Sequence, residues 1–408
     1  MVDGFVEMLG YLDRLPQKRN TRLLTTETER QEEPRLAKSQ PPAPLVFSWE
    51  NFGPTHVDRL EAVAAARPVI GVQFTAGSHS YSWQAQPGTG YPTQTLFAQG
   101  ERAGGFRLVG RLLRTVRQVG ARDVYLCHYQ MWEMCLAAVA LRLRGRRVFT
   151  MTDSKFDDYA RSLPRELGKA VMLLPYSGAL TATPRSASYL GFLGFRRRPV
   201  RLGYDSLSIA RIRCLAASPP APDGTAFDAR DFVVVARLIP KKNIALAIEA
   251  YACWRAEGGV GRALVICGDG PLEADLRAQA ARLGVADHVR FLGFLQTAAV
   301  CRELARALCL ILPSVEEQFG LVVAEALALG VPVLVTPNAG AVDVLLQPGR
   351  NGLLIDPHDA TALTEAMRLL SDDQAAWRRM AAAARDTAGA GDVAAFVASV
   401  DSLTPPRP

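Results

Sequence analysis

The sequence lacks the features that mark membrane-spanning, disulfide-linked and zinc-binding proteins. Its 408 residues contain no run of 18 or more apolar residues, so we expect no transmembrane helix. The seven cysteines are odd in number, form no Cys-x-x-Cys pair and mostly lie in apolar stretches, which predicts buried thiols in a reducing cytoplasm. The first 20 residues lack the basic start and apolar core of a secretory signal. These absences favour a cytoplasmic protein without a disulfide framework or a zinc cluster.

A dinucleotide-binding fingerprint is also absent. Gly268 and Gly270 supply the first two glycines of G-x-G-x-x-G, but the third is missing and Pro271 follows at once. Each glycine of that fingerprint has its own role in the turn, in the approach to the pyrophosphate or in helix packing. The sequence therefore argues against a dinucleotide-dependent oxidoreductase.

Charge is unevenly distributed along the chain. Residues 1–215 carry 30 lysines and arginines against 18 acids, a net charge of +12, whereas residues 216–408 carry a net charge of −5. Basic residues cluster at 102–122, 141–148 and 195–201. Such patches suit anionic lipid headgroups or acidic substrates, but they lack the interleaved aromatics of a single-strand binder, so we expect no nucleic-acid partner. A solvated basic surface and a membrane-facing one both remain open.

The order of strand-like and helix-like segments predicts an α/β protein of two domains. The length favours two domains over one, and strands alternate with helices from residue 44 onwards. A proline- and alanine-rich stretch near residue 220 suits a linker. We divide the chain into a disordered or weakly helical extension (1–43), a first domain (44–215), a linker (216–229), a second domain (230–388) and a tail that packs back on the first domain (389–408).

The most informative stretch is PSVEEQFGLVVAEALALGVPVLVT, residues 313–336. It follows an apolar strand and reads as a loop, a helix of about two turns before Glu325, and a second strand. Because open parallel sheets bind ligands at the carboxyl ends of their strands, Glu317 is expected at a binding site. The start of the helix near Phe319 and Gly320 offers backbone N–H groups to a phosphate.

This stretch resembles the signature of a known enzyme family. Glu317 and Glu325 stand eight positions apart within S-x-x-E-x-F-G-x4-E-A-x-A-x-G-x-P-V, which resembles the Glu-x7-Glu signature of retaining family-4 glycosyltransferases. Arg237 and Lys242 match that family's Arg-x4-Lys pair. The resemblance implies the GT-B fold, in which two Rossmann-like domains face a cleft. It also implies a nucleotide-sugar donor, a UDP- or GDP-sugar, with no metal ion and no cofactor.

The resemblance implies a role for each donor-side residue. Glu325 would accept hydrogen bonds from ribose hydroxyls, and Glu317 would hold hydroxyls of the transferred sugar. Arg237 and Lys242 would neutralise the leaving diphosphate, where two cations stabilise the charge that develops on the bridging oxygen. The implied donor-binding set is Arg237, Lys242, Glu317, Phe319, Gly320, Leu321 and Glu325.

The first domain is expected to hold the acceptor. The resemblance places Gly53 and His56 in its first loop, His128 after a later strand, and Asp153 with Lys155 after the next. His128 would join Glu317, Arg237 and Lys242 as a catalytic residue. For both histidines a purely structural role, as a helix-start residue or a hydrogen-bonded core residue, stays open.

These expectations combine into one function and two alternatives. The function is retaining transfer of a sugar from a nucleotide-diphosphate-sugar to a saccharide or lipid-linked acceptor, in polysaccharide or glycolipid biosynthesis. The basic first half adds peripheral contact with an anionic membrane at its inner face. One alternative is a GT-B nucleotide-sugar epimerase, which would need acid–base residues around the sugar and no acceptor groove. The other is a non-catalytic scaffold of a polysaccharide-assembly complex.

Overall fold

Two parallel β-sheets make up the part of the chain that the computed structural model describes, residues 42–76 and 88–405. The strands of the first sheet are β1 (Leu45–Trp49), β2 (Val69–Gln73), β3 (Thr93–Thr95), β4 (Asp123–Leu126), β5 (Arg147–Thr152), β6 (Gly178–Thr181) and β7 (Val200–Arg201). The strands of the second sheet are β8 (Asp231–Val235), β9 (Leu264–Cys267), β10 (Val289–Gly293), β11 (Ala307–Leu312), β12 (Val333–Val335) and β13 (Gly352–Leu354).

Helices connect the strands and cover the faces of both sheets. The α-helices of the described residues are α1 (Pro54–Ala64), α2 (Gly105–Gln118), α3 (Trp132–Leu143), α4 (Leu163–Met172), α5 (Pro184–Phe192), α6 (Ile209–Ala216), α7 (Ile244–Ala256), α8 (Glu273–Arg282), α9 (Thr297–Ala305), α10 (Leu321–Ala328), α11 (Ala360–Asp372), α12 (Gln374–Thr387) and α13 (Val393–Leu403). Short 3-10 turns lie at Phe156–Asp158, Phe227–Ala229, Pro240–Lys242, Ala286–His288, Gly340–Asp343 and Ala388–Gly391. Within the described ranges, no helix is both long enough and apolar enough to span a membrane.

Both sheets are doubly wound. The strand order is β3-β2-β1-β4-β5-β6-β7 in the first sheet and β10-β9-β8-β11-β12-β13 in the second, and neighbouring strands run parallel. The order changes direction between β1 and β4 in one sheet and between β8 and β11 in the other. A crevice opens at the carboxyl ends of strands at such a point. The predicted α/β class with two doubly wound sheets is confirmed.

Strand sequences follow from burial on both faces of each sheet. All six residues of β11, ALCLIL, are buried, as parallel strands covered by helices require. Alternate residues of β8 enter different layers. Val233 packs in the layer that contains Val323 of α10, and Phe232 packs in the layer that contains Ile248 of α7.

The last helix crosses from the second sheet to the first. Helix α13 follows the helices of the second sheet but contacts α1, β6 and β7. Its Phe396 ring lies 5.7 Å from the ring of Phe47 in β1, and Arg67 Nη1 donates to Asp401 Oδ1 over 3.0 Å. The residues after α12 therefore add to the first sheet's core.

Some elements differ from the sequence expectations. Strands β3, β7 and β13 were not predicted, because each has only two or three residues. Helix α10 begins at Leu321, so Glu325 lies little more than one turn into it and the expectation of about two turns was wrong. Residues 1–41 of the predicted extension lie outside the described residues.

Candidate active site

A cleft of about 380 Å³ lies between the carboxyl-end edges of the two sheets. The first-sheet side contributes Pro54, Thr55, Asp153 and Asp205 to its lining. The second-sheet side contributes side chains from the loops after β8, β9 and β11 and from the first turns of α10. Both topological switch points therefore open into the same space.

A charged pair occupies the second switch point. The ammonium of Lys242, in the 3-10 turn after β8, pairs with Glu317 Oε2 in the loop after β11. Ser314 Oγ also donates to Glu317 Oε2 over 3.3 Å. Arg237 follows β8 and lines the same wall of the cleft. Two cations and one carboxylate thus meet where a ligand of an open α/β sheet binds.

Helix α10 presents its N-terminus to the cleft through a left-handed glycine. Gly320 is the N-cap residue, with φ of 90°, and Gln318 through Val322 line the cleft. A Cβ at Gly320 would meet Leu312 Cδ2 at 3.0 Å and Glu317 Cγ at 3.3 Å. The N–H group of Val323 donates to the carbonyl oxygen of Gly320 over 2.9 Å, whereas the N–H groups of Leu321 and Val322, which open the helix, suit an anion.

The loop after β9 was not predicted as part of the site, although its glycines were visible in the sequence. Gly268 has φ of 152°, and a Cβ there would lie 1.9 Å from the carbonyl oxygen of Ala236. Leu238 N donates to the carbonyl oxygen of Asp269 over 2.7 Å. The Gly-Asp-Gly sequence therefore serves close packing against the loop that carries Arg237, and its members Gly268 and Asp269 line the cleft.

Glu325 is a half-buried carboxyl group on the cleft side of α10. Burial raises the pKa of Glu325 to about 7, with Asp58 adding to the shift and Arg211 opposing it. Arg211 itself is held by both carboxylate oxygens of Asp58, at 2.5 and 2.6 Å. Near neutral pH this carboxyl group accordingly exchanges between its protonated and ionised forms.

Lys155 lies at the contact between the two sheets. Its side chain is 1% exposed, and its ammonium donates to Asp158 Oδ1 over 2.5 Å and to the backbone oxygen of Glu317 over 2.7 Å. Lys155 was expected on the acceptor side, but it holds the Glu317 loop from the first-sheet side. Arg185 makes a second tie, donating to Asp343 Oδ2 at 2.8 Å and to the backbone oxygen of Ala339 at 2.8 Å.

His56 stands at the start of α1, beside the cleft. Its Nδ1 accepts a hydrogen bond from the backbone N–H of Gly53 over 3.0 Å, and its ring packs 4.8 Å from the ring of Trp49. Burial lowers the pKa of His56 well below its usual value, so the ring is neutral at pH 7. Pro54 and Thr55, which lie between Gly53 and His56 in the sequence, line the cleft, whereas Gly53 and His56 do not.

His128 follows β4 in a left-handed conformation, with φ of 57°. Interaction with Cys127 raises the pKa of His128 to about 9, with Glu50 and Asp153 adding to the shift while burial opposes it. His128 is not among the residues that line the cleft in the described part of the chain.

Two carboxyl groups share the first-sheet wall. Burial raises the pKa of Asp153, and burial together with Asp153 raises that of Asp205 to about 7. Arg59 donates to Asp205 Oδ1 over 3.1 Å, while Oδ2 finds no partner among residues 42–76 and 88–405. Asp205 was not predicted as a site residue, because it lies in a loop far along the chain from the other residues of this wall. The described residues contain no group of three or more His, Cys, Asp and Glu side chains placed to hold a metal ion.

Comparison with known proteins finds similarities for the second-sheet part of the chain. Residues 223–387 match the family model described as "Glycosyl transferases group 1". The chain is 35% identical over 179 residues to an exopolysaccharide phosphotransferase of Streptomyces coelicolor, covering 43% of this chain and 19% of that protein. It is 37% identical over 155 residues to a glycogen synthase of Mycobacterium tuberculosis, covering 38% of this chain and 37% of that protein.

The matches thus span well under two thirds of either relative's length. The fold similarity is broader. The crystal structure of Anabaena HepE in complex with UDP superposes with a TM-score of 0.69 at 18% identity, covering 88% of this chain and 98% of that chain. The predicted GT-B glycosyltransferase fold is confirmed. The residues that match the family model include Arg237, Lys242, Glu317 and Glu325, whereas the first-sheet wall lies outside them.

Proposed function

We propose that this chain is a retaining glycosyltransferase that moves a sugar from a nucleotide-diphosphate-sugar to a saccharide or lipid-linked acceptor. The observation that carries the proposal is the Lys242–Glu317 pair beside Arg237 at the second switch point. This arrangement provides cations for a leaving diphosphate and a carboxylate for sugar hydroxyls in one cleft. The proposed setting is polysaccharide or glycolipid biosynthesis.

The donor would lie along the second-sheet wall. Its diphosphate would meet Arg237, Lys242 and the N–H groups at the start of α10, where the helix dipole also favours an anion. Its ribose hydroxyls would donate to Glu325. The bound UDP of Anabaena HepE supports a UDP-sugar as the first donor to test, with a GDP-sugar as the second.

The chemistry would rest on charge stabilisation at the leaving group. When the glycosidic bond to phosphate breaks, negative charge grows on the bridging oxygen, and fixed cations at that position lower the barrier. The acceptor would approach from the wall that holds Asp153, Asp205 and Thr55. The departing phosphate would take the acceptor's proton on the face that it leaves, which retains the configuration. His128 and His56 would shape the acceptor side from behind this wall.

The setting of the reaction is part of the same proposal. The net charge of +12 on residues 1–215 would draw the first-sheet side toward an anionic membrane at its inner, cytoplasmic face. A lipid-linked acceptor would then be presented to the cleft in the plane of the membrane.

A donor screen tests the proposal. The chain is incubated with UDP-, GDP- and ADP-sugars, and release of free nucleotide is measured for wild type, Glu317→Ala and Lys242→Ala. Arg277→Ala serves as the matched control, because Arg277 is not among the residues that line the cleft and contacts Glu273 on α8 and the ring of Phe291. We expect release with one donor, loss in both site variants and no change in the control. Equal release by the site variants would contradict the proposal.

The same screen separates the alternatives. An epimerase would convert the nucleotide-sugar into an isomer without releasing nucleotide. A scaffold would neither turn over a donor nor gain thermal stability from it, whereas a binding enzyme gains about 2.7 kcal/mol at a hundredfold excess over the dissociation constant. Neither alternative has a specific observation in its favour.

A further inference from the structure

Helix α4 exposes three large apolar side chains and buries two charged ones, those of Glu166 and Lys169. The exposed fractions are 69% for Leu163, 59% for Leu167, 62% for Val171 and 69% for Leu174, just after the helix. The spacing of four, four and three residues places these side chains along one side of the helix. We call this set of four residues the α4 stripe.

The opposite orientation of α4 is prevented by a buried polar network. Glu166 and Lys169 are both buried, and Lys169 Nζ donates to Glu166 Oε1 at 3.0 Å and to Tyr189 Oη at 2.8 Å. Lys169 Nζ also donates to the hydroxyl of Tyr159 at 3.0 Å. Rotating the helix to bury the α4 stripe would leave these charges without partners. The exposed apolar side is therefore fixed by the fold.

The surroundings of the α4 stripe are cationic. Arg165 is exposed on the same helix, and Arg196 and Arg197 are exposed in the segment after α5. Arg198 ties that segment to the end of α4, because its Nη1 donates to the backbone oxygens of Leu173 at 2.6 Å and Tyr176 at 3.0 Å. Between residues 161 and 175 the one acidic residue is the buried Glu166.

We propose that the α4 stripe inserts into the interfacial region of an anionic bilayer while the surrounding arginines contact lipid phosphates. Apolar side chains on one side of a surface helix, flanked by cations, are the features of a helix that lies in a membrane interface. The inference rests on the membrane contact of the proposed function and deepens it, because it names the surface and adds an apolar contribution to the electrostatic one.

A second copy of this chain is a poorer occupant of the same surface. A two-fold dimer through the α4 stripe would pair the patch with itself and bring both sets of arginines together. Repulsion between the like charges would oppose that contact, whereas anionic headgroups would be attracted by them.

Vesicle sedimentation of the full chain tests the proposal without donor or acceptor, so its failure would leave sugar transfer untouched. Vesicles of phosphatidylcholine alone are compared with equal mixtures of phosphatidylcholine and phosphatidylglycerol. The variants are Leu167→Gln with Val171→Gln, and Arg196→Gln with Arg197→Gln. Val260→Gln is the matched control, because Val260 is a 74% exposed valine far along the chain, beside β9.

We expect wild type and Val260→Gln to bind the anionic vesicles. The apolar double variant should bind at least about tenfold more weakly, since two inserted side chains are lost. The arginine double variant should bind more weakly by about tenfold and respond less to salt. Circular dichroism and the donor-induced thermal shift should be unchanged in both.

Three outcomes would overturn the proposal. The first is no binding of wild type to anionic vesicles. The second is equal binding by the apolar double variant. The third is concentration-dependent dimerisation of wild type, seen by light scattering, that the apolar double variant abolishes.

Discussion

The two walls of the cleft are built from the sequence in different ways. On the second-sheet wall, Glu317, Gly320 and Glu325 come from nine consecutive residues. On the first-sheet wall, Thr55, Asp153 and Asp205 come from the start of α1 and from two loops, and these segments are about 50 to 100 residues apart. A site made by one strand–loop–helix unit leaves a spacing that can be read directly. A site made by several loops depends on the topology of the sheet, so its members can be ranked only after the structure is known.

The largest expected effect is a loss of donor turnover when Lys242, but not the adjacent Lys241, is replaced. We expect Lys242→Ala to lower donor turnover about 10²–10³-fold, because it removes one fixed cation from the leaving diphosphate. Lys241→Ala should have a much smaller effect, since the Lys242 ammonium is the one that pairs with Glu317. Turnover of UDP- or GDP-sugars is the measurement. Equal losses in the two variants would show that the wall supplies general positive charge rather than a fixed contact.

The next largest effect concerns Lys155, which connects the first-sheet wall of the cleft to the Glu317 loop of the second-sheet wall. Lys155→Met should lower the free energy of unfolding by about 3–5 kcal/mol, because Asp158 stays buried without its cation. It should also lower turnover, since the Glu317 loop loses a hydrogen bond to its backbone oxygen. Arg185→Ala, which breaks the more exposed tie, should cost about 1 kcal/mol in urea unfolding. Similar values for both would contradict the central role of Lys155.

Donor affinity measured at a series of pH values tests the role of Glu325. Because burial raises its pKa to about 7, the carboxyl group is protonated below that pH in the empty cleft and ionised above it. Donor affinity should therefore fall as pH drops below 7, by up to about tenfold per unit if the ionised form accepts the ribose hydroxyls. Calorimetric titration measures this dependence. Glu325→Gln should flatten it, and an unchanged profile in that variant would assign the titration to another group.

The raised pKa of Glu325 also makes the free energy of unfolding depend on pH. Between about pH 4.3 and 7 the folded chain binds more protons at Glu325 than the unfolded chain does, so the free energy of unfolding contributed by this group falls as pH rises. Glu325→Gln should remove this decline in urea unfolding at a series of pH values.

A further effect concerns the glycine at the start of α10. Gly320→Ala should lower the free energy of unfolding by about 1–2 kcal/mol, since φ of 90° is strained for any L side chain and Leu312 lies 3.0 Å from the new Cβ. Gly349→Ala is the matched control, with φ of 75° and open space around its Cβ. Both should lose stability, but Gly320→Ala alone should weaken donor binding. Unchanged donor affinity in Gly320→Ala would remove α10 from the site.

Much of the fold could be predicted from the sequence, because buried parallel strands leave apolar runs such as the six residues of β11. Strands β3 and β7 could not, since TQT and VR carry no pattern that differs from a loop. The depth of Glu325 in α10 was misjudged because Gly320 caps the helix in a left-handed conformation instead of joining it.

The residues of the candidate site also divide into those that a local sequence pattern predicts and those that it does not. The Arg-x4-Lys and Glu-x7-Glu spacings anticipated which residues share the second-sheet wall. Nothing local to Lys155 indicates that it reaches the backbone of Glu317, 162 residues away. Asp205 likewise enters the cleft through the return of the chain after β7. Long-range contacts of this kind come from the arrangement of strands and are invisible to a pattern within a few turns of chain.

The most direct test compares a nucleoside diphosphate with its nucleoside, using the base that the donor screen identifies. We expect wild type to bind the diphosphate much more tightly in calorimetric titrations, and Lys242→Ala to remove most of this difference while leaving nucleoside binding unchanged. Equal affinities for the two ligands in wild type, or a full difference retained in Lys242→Ala, would contradict the claim that this wall of the cleft holds the donor's diphosphate.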